Sequence, residues 1–343
     1  MSRTVAPFAA LPDALSSRYR VAPVRSSDAA DLLRLVGDCD TAVLGYPDWS
    51  LADVEADTGP LPDGAERAQA LVREQATGRV VCWWWTDPHE GRAAFSADVY
   101  TEVTLPAADG DALALAGWAA IEAEAQRWAS AAGVRGAFLD VGSLHGDAAV
   151  ERRLAAAGFT QVRTFWRMGG TVPPEPAPAP DVPGLVIVPA IDTHVVHELY
   201  EASFAGHWGH EGASHDAWLA RVSRRPGHDP SLWWVAEVDG VPAGLLLCSR
   251  QMAQDDALYV ATLGTLSPYR RRGIAAALLH HAFAVARQEG FGQVRLGVDS
   301  DNPTGAPGVY RRAGLDVLFA MHAWRKDLTG PRPAQVSAAP SGP

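Results

Sequence analysis

The chain has 343 residues, with 29 basic and 40 acidic side chains and a formal net charge of −11. Hydrophobic residues make up 48% and charged residues 20%, a soluble globular composition that excludes a wholly disordered chain. The length suggests two domains, at roughly 100–200 residues each, and the acidic balance argues against a broad non-specific nucleic-acid binder.

In chain order, Met1–Ser17 is interrupted by Pro7 and Pro12 and has no long apolar run, so no signal peptide is expected. Tyr19–Val24 is strand-like and leads to a polar cap at Ser27 and a helical pattern. Trp83-Trp84-Trp85 reads as sheet core or interdomain packing, with an aromatic ligand platform as the second reading. The run from Gly169 to Gly184 contains Pro173, Pro174, Pro176, Pro178, Pro180 and Pro183 among small residues. It can form neither a helix nor a central strand and reads as a semi-rigid linker.

Beyond it, Leu185–Val188 is strand-like, Asp192 is a cap and a helix is expected over Thr193–Ala205. Trp233–Glu237 and Pro242–Ser249 flank Asp239-Gly240 as a hairpin. Leu258–Leu266 is an apolar strand, and Gly273–Gln288 is a helix with Ile274, Leu278, Ala282 and Val285 on one stripe. Gln293–Val298 is a strand, Val309–Ala313 belongs to a short helix stopped by Gly314, and Phe319–Arg325 could close the sheet. The expected organisation is a domain at 17–170, a linker at 171–184, a second domain at 185–328 and a disordered tail at 329–343. Strands and helices mix within each block, so the fold class is α/β (α+β).

The two blocks resemble each other. Gly133, Leu139, Val141 and Ser143 recur as Gly290, Leu296, Val298 and Ser300 at a constant offset of 157. Ala157-Gly158-Phe159 matches Ala313-Gly314-Leu315 at an offset of 156. Cys39, Cys82 and Cys248 form no Cys-x-x-Cys pair, so they read as mostly buried thiols in a reducing cytoplasm. No run of about 18 uninterrupted apolar residues predicts a membrane span, and His207 and His210 lack a further ligand cluster, so no metal is expected.

The strongest local feature is Tyr269-Arg270-Arg271-Arg272-Gly273-Ile274-Ala275-Ala276, between a strand and a long amphipathic helix. A turn there leaves the first helical N–H groups unpaired at the positive end of the dipole, which suits a phosphate. Gly273 permits close backbone approach, small Ala275 keeps the helix start open, and the arginines add attraction.

With strand Leu258–Leu266, this loop, the helix, strand Gln293–Val298, then Asn302 and Tyr310 before Ala313-Gly314-Leu315, the second block resembles the GNAT N-acetyltransferase superfamily. The resemblance implies that the backbone around Leu263 and Thr265 pairs with the pantetheine arm of acetyl-CoA. It implies that the amides of Arg270, Arg271, Arg272, Gly273, Ile274 and Ala275 hold the pyrophosphate, and that Asn302 lies near the cofactor arm. Tyr310 falls where the family often has a tyrosine that protonates the departing thiolate, a role a nearby phenol can fill. Pro307 and Gly308 would make that helix start late. Many relatives carry a glutamate on the strand before the loop, and here that strand has none. Proton removal could run through water to Asp256, or to the loop Phe204–Glu211, whose His207 and Glu211 are candidates for the acceptor site.

At the same offsets Arg270, Arg272, Gly273 and Ala275 correspond to Leu113, Leu115, Ala116 and Trp118, and Tyr310 to Leu154. The loop Pro106–Asp111 is acidic, wrong for a pyrophosphate. The first block therefore reads as a degenerate GNAT-like domain, and the chain as two tandem GNAT-like domains, each a mixed, strongly twisted sheet flanked by helices. Such pairing resembles the tandem type that includes mycothiol synthase and its actinobacterial relatives. The implied activity is acetyl transfer from acetyl-CoA to a small-molecule amine by direct attack, with a non-catalytic acyl-CoA sensor as the alternative.

Overall fold

The computed structural model describes residues 11–59, 67–88, 93–175, 178, 180–208, 210, 212–301 and 305–328. The tail expected at 329–343, Asn302 and Glu211 lie outside the described residues. The chain divides into two compact units, one of Met1–Arg163 with Met321–Pro343, the other of Thr164–Ala320. These bounds differ from those the proline-rich run suggests, and strand pairing is the reason, as set out for each unit below.

Unit 1 begins with the short helix α1 (Asp13–Ser16) and strand β1 (Tyr19–Ala22). A single 3-10 turn, Ser26–Asp28, carries the chain into α2 (Ala29–Leu44), so the predicted polar cap is the turn itself. Then follow α3 (Leu51–Thr58), β2 (Ala68–Glu74), β3 (Val80–Pro88), β4 (Ala94–Thr101), α4 (Ala107–Ala131), β5 (Phe138–Leu144), α5 (Ala148–Ala156) and β6 (Thr160–Thr171). Strands β1 to β4 pair in sequence order, all antiparallel. β5 joins β4 in parallel, over Ala94–Ser96 and Phe138–Asp140 only. Its other neighbour in this unit is the stretch 321–327, which pairs antiparallel with it.

The alternation of strand side chains puts two cores on the unit's two faces. Phe95, Ala97 and Val99 of β4 meet Leu113, Trp118 and Ile121 of α4 on one side. Trp83 joins Leu32, Leu35 and Val54 of α2 and α3 on the other. Of the Trp triplet, Trp83 and Trp84 are thus core residues on opposite faces.

Unit 2 opens with the part of β6 from residue 164 onward, whose residues 165–171 pair antiparallel with 293–299, Phe165 facing Asp299 and Thr171 facing Gln293. That pairing places the proline-rich segment inside unit 2, and Val182 packs against its core. Then come β7 (Leu185–Pro189), α6 (Thr193–Phe204), α7 (His215–Ser223), β8 (Trp233–Val238), β9 (Val241–Ser249), β10 (Ala257–Thr265), α8 (Ile274–Gln288), β11 (Gln293–Asp299), α9 (Ala306–Arg312) and β12 (Asp316–Asp327). The predicted cap holds: the Asp192 side chain accepts from His194 N at 2.8 Å and starts α6. The hairpin turn is Asp239-Gly240, both at positive φ. Helix α7 had no counterpart among the predicted elements.

β7, β8, β9 and β10 run antiparallel, and β11 joins β10 in parallel. The central strands are buried on both faces, which is why they read as continuous apolar runs. Leu246 and Cys248 of β9 pack with α8, whereas Leu245 and Leu247 pack with α6 and α7. Among the described residues no helix is long and apolar enough to cross a membrane.

Candidate active site

The site follows from where two parallel strands part. β10 and β11 are paired at Ala257–Val260 and Gln293–Leu296 and no further. At that point β10 carries a bulge: Val260 faces Cys248 but Thr262 faces Leu247, leaving Ala261 as the extra residue. A bulge bends and twists its strand, so residues 262–265 stay on β9 while 297–299 of β11 follow β6. The edge of β10 between Thr262 and Thr265 that faces away from β9 is therefore open for an extended ligand to pair with.

This parting opens a cavity of about 820 Å³, lined by residues of unit 2 alone. Leu263, Thr265, Arg270, Arg271, Gly273, Ile274, Ala275, His207 and Tyr310, nine of the predicted site residues, line it together. Ser203 Oγ and Thr265 Oγ1 lie buried at this wall with no hydrogen-bond partner among the described residues. Two buried hydroxyls without partners are costly, and they suit a polar chain laid along the strand. Gly264 lets the end of α6 close on the strand, since a Cβ there would stand 2.9 Å from Ser203 Cβ and 2.6 Å from Leu245 Cδ2.

After β10 a 3-10 turn, Ser267–Tyr269, leads to Arg270 in extended conformation, Arg271 at φ 63° and Gly273 at φ 89°. The two left-handed residues turn the chain so that α8 starts at Ile274, and its first N–H groups have no acceptor within the helix. They lie at the helix's positive end and face the cavity through Ile274, Ala275 and Ala276.

The three arginines divide their tasks in a way the sequence did not reveal. The Arg270 amide donates to Ser267 O at 3.3 Å, and its guanidinium to Thr265 O and Ser203 O, each at 3.1 Å. Arg270 is thus engaged as a brace between β10 and α6, with both its amide and its guanidinium already bonded. Arg272 does not line the cavity, and its guanidinium lies 5.4 Å from the centre of the Tyr269 ring.

Tyr310 sits on α9 with only 7% of its surface exposed. Pro307 lies in the first turn of that helix, so the chain tolerates it, and the helix starts before the proline rather than after it. Burial pushes the Tyr310 phenol up to about 12, so it holds its proton across the physiological range. His207, which also lines the cavity, is pushed below the usual imidazole range, first by burial and then by the charge of Arg270, with Asp299 opposing. The aromatic wall around it includes Phe204, whose ring lies 4.7 Å away, and the pair Phe165 and Trp208 at 6.3 Å. His210 does not line the cavity and instead bonds Glu201 Oε2 at 2.9 Å.

The carboxylates before β10 are not proton acceptors for this cavity. Asp255 pairs with Arg295 Nη1 at 3.0 Å, and Asp256 Oδ1 accepts from Gly292 N at 3.0 Å. Both stand at the paired end of β10 and β11, whereas the cavity begins where the strands part.

In unit 1 the first residues of the corresponding helix, α4, include two acids, Asp109 and Asp111. Asp109, in the first turn of α4, accepts from Arg18 Nη2 at 2.9 Å and from Tyr19 Oη at 2.8 Å. Asp111 takes Arg153 Nε at 2.7 Å. Both carboxylates are thus engaged by arginines of the same unit.

A parallel pair parting at a bulge, an open helix start and a buried phenol thus line one cavity of a mixed α/β fold. Residues 193–315 match the model of the Acetyltransferase (GNAT) family. Mycothiol acetyltransferase of Cellulomonas flavigena is 30% identical over 219 residues, covering 58% of this chain and 62% of its own. The probable N-acetyltransferase san of Drosophila melanogaster is 31% identical over 96 residues, covering 27% and 52%. The chain thus spans between half and just under two thirds of these curated relatives. Among solved structures, a GCN5-related N-acetyltransferase from Sphaerobacter thermophilus is 26% identical with a TM-score of 0.75, covering 94% of this chain and 98% of its own. A tandem GNAT protein from the clavulanic acid biosynthesis pathway shares the fold at 15% identity and a TM-score of 0.69, over 92% and 100%.

Proposed function

We propose that the chain is an acetyl-CoA-dependent N-acyltransferase whose second domain acetylates a small-molecule amine by direct attack. The observation that carries the reading is one cavity joining an open strand edge, an anion-ready helix start and a protonated, buried Tyr310. The pantetheine arm lies along Leu263 to Thr265, within reach of the orphaned Ser203 and Thr265 hydroxyls. The pyrophosphate sits on the amides of Arg271 to Ala275, with Asn302 assigned to the cofactor arm. The first domain is a degenerate copy, whose corresponding helix begins with Asp109 and Asp111, acids that repel a pyrophosphate.

The amine enters along the aromatic wall of Phe165, Phe204 and Trp208. Its nitrogen attacks the thioester carbonyl carbon, and the excess proton on nitrogen passes to neutral His207. The C–S bond then breaks and the thiolate takes the Tyr310 proton, leaving an amide and free CoA. Glu211 remains assigned to acceptor binding. The likeness to mycothiol acetyltransferase supports a small-molecule acceptor, and the buried thiols Cys82 and Cys248 suit a reducing cytoplasm.

Thermal-shift screening with acyl-CoAs, followed by CoA-release assays over a panel of small amines, tests this. Stabilisation by acetyl-CoA with amine-dependent CoA release is expected. Tight acetyl-CoA binding without release from any amine would overturn the catalytic reading in favour of an acyl-CoA sensor.

A further inference from the structure

Independently of acyl transfer, unit 1 gathers three metal-ligating side chains that are remote in sequence. His145 follows the end of β5, Glu151 lies on α5, and His322 lies in the stretch 321–327 that pairs with β5. Their ligand atoms all lie within 4.8 Å of one another. His145 Nδ1 is 2.9 Å from His322 Nε2, and His322 Nε2 is 3.7 Å from Glu151 Oε1. A tetrahedral zinc ion with bonds of about 2.05 Å sets its ligands about 3.3 Å apart, and the two measured edges straddle that value.

We propose that His145, Glu151 and His322 form a binding site for a borderline divalent transition metal, zinc first. Two imidazoles and one carboxylate favour zinc, cobalt, nickel or copper over magnesium or calcium, which prefer all-oxygen shells. Two further observations support a ligand at this place. Glu151 Oε1 is closed off from solvent yet makes no hydrogen bond among the described residues. Gln161 supplies the outer shell, its amide 2.9 Å from His322 Nδ1. A half-turn of that amide lets Nδ1–H donate to its oxygen, which frees the Nε2 lone pair for the metal. His145 is exposed, so solvent water can complete the shell.

At the repeat offset of 157, His145 stands where the second copy has Asn302. The first copy thus carries a metal-ligating side chain where the second carries the asparagine assigned to the cofactor arm. The metal would tie residue 322 to residues 145 and 151 and so fasten the last strand of unit 1.

The full-length protein, stripped with a chelator, is titrated with zinc chloride by calorimetry and with cobalt(II) by visible absorption. One high-affinity ion per chain, with tetrahedral cobalt bands, is expected. His145→Gln and His322→Gln each remove that equivalent. Gln161→Leu weakens it about 10–100-fold. His197→Gln, on α6 of unit 2, leaves it intact. His145 is exposed, so its variant is expected to fold even where His322→Gln does not. No bound zinc in the wild-type chain, or binding unchanged in His145→Gln, would overturn the site and leave a hydrogen-bonded histidine pair.

Discussion

Tyr310→Phe isolates one hydroxyl. The ring is buried and stays in its packing against the core of unit 2, so the fold should be retained. The phenol, pushed up to about 12 by burial, is protonated at every pH where the enzyme would be assayed. An acid already in place at the leaving group contributes about 10²–10⁴-fold, or about 2.7–5.4 kcal/mol at 1.36 kcal/mol per decade. The expected result is a fall in kcat of that size with little change in acetyl-CoA affinity, since no ground-state contact to CoA is assigned to the hydroxyl. CoA release is followed by thiol titration while acetyl-CoA and amine are varied, and affinity is measured separately by calorimetry. Free thiolate needs less help as pH rises, so the gap between variant and wild type should narrow above the CoA thiol's own pKa. A kcat within about twofold of wild type, at neutral pH and with acetyl-CoA bound normally, would refute Tyr310 as the acid.

His207 must be neutral to accept a proton, and burial lowers its pKa. The acid limb of kcat/KM should therefore fall below the usual histidine range, with a plateau through neutrality, and His207→Gln should lower kcat and abolish that limb; an unchanged limb excludes it. Gly273→Ala forces an L-residue to φ 89° and brings its Cβ to 3.1 Å from Val182 Cγ2. Chemical denaturation should show a loss of about 1–2 kcal/mol, and acetyl-CoA should bind more weakly; a stable variant with normal affinity contradicts the loop geometry. In unit 1, partly buried Asp98 is pushed up to about 7, first by burial and then by Asp57 and Asp40, against its bond from Tyr100 Oη at 2.8 Å. Between its unfolded value of about 4 and about 7 the folded state binds the extra proton, so stability falls as pH rises through that window, by at most about 1.4 kcal/mol per unit. Asp98→Asn should remove that slope, and identical pH profiles from thermal melts would show that Asp98 titrates normally.

The legible and illegible parts of this protein separate by sequence distance. Strand, turn, glycine and helix from 257 to 288 are contiguous, and the chemistry of that segment is local: a left-handed glycine, a helix start and an apolar stripe. The sequence therefore places it within a residue or two, and brings Leu263, Thr265, Gly273, Ile274 and Ala275 to one cavity wall. The arginine cluster is equally visible, but not its use. The acceptor of Arg270 Nη2 is the carbonyl of Ser203, 67 residues away, and a guanidinium bonded to two carbonyls has no sequence signature. The same holds for the bulge at Ala261, which is defined only against β9. Proline misleads in a different way. It reports correctly that the described residues of 173–183 form no helix, yet whether such a stretch joins two units or lies on one depends on what pairs beside it. Here the seven residues 165–171 pair with 293–299, and 321–327 with 138–144. Each half of the sequence thus lends a strand to the other half's unit, so a domain boundary drawn at the prolines cuts across the strand pairing of both units. The histidine cluster follows from the same exchange: His322 meets His145 and Glu151 because its strand is paired to β5. A reading of local composition has no means of bringing residue 322 to residue 145, whereas register along β5 does so directly.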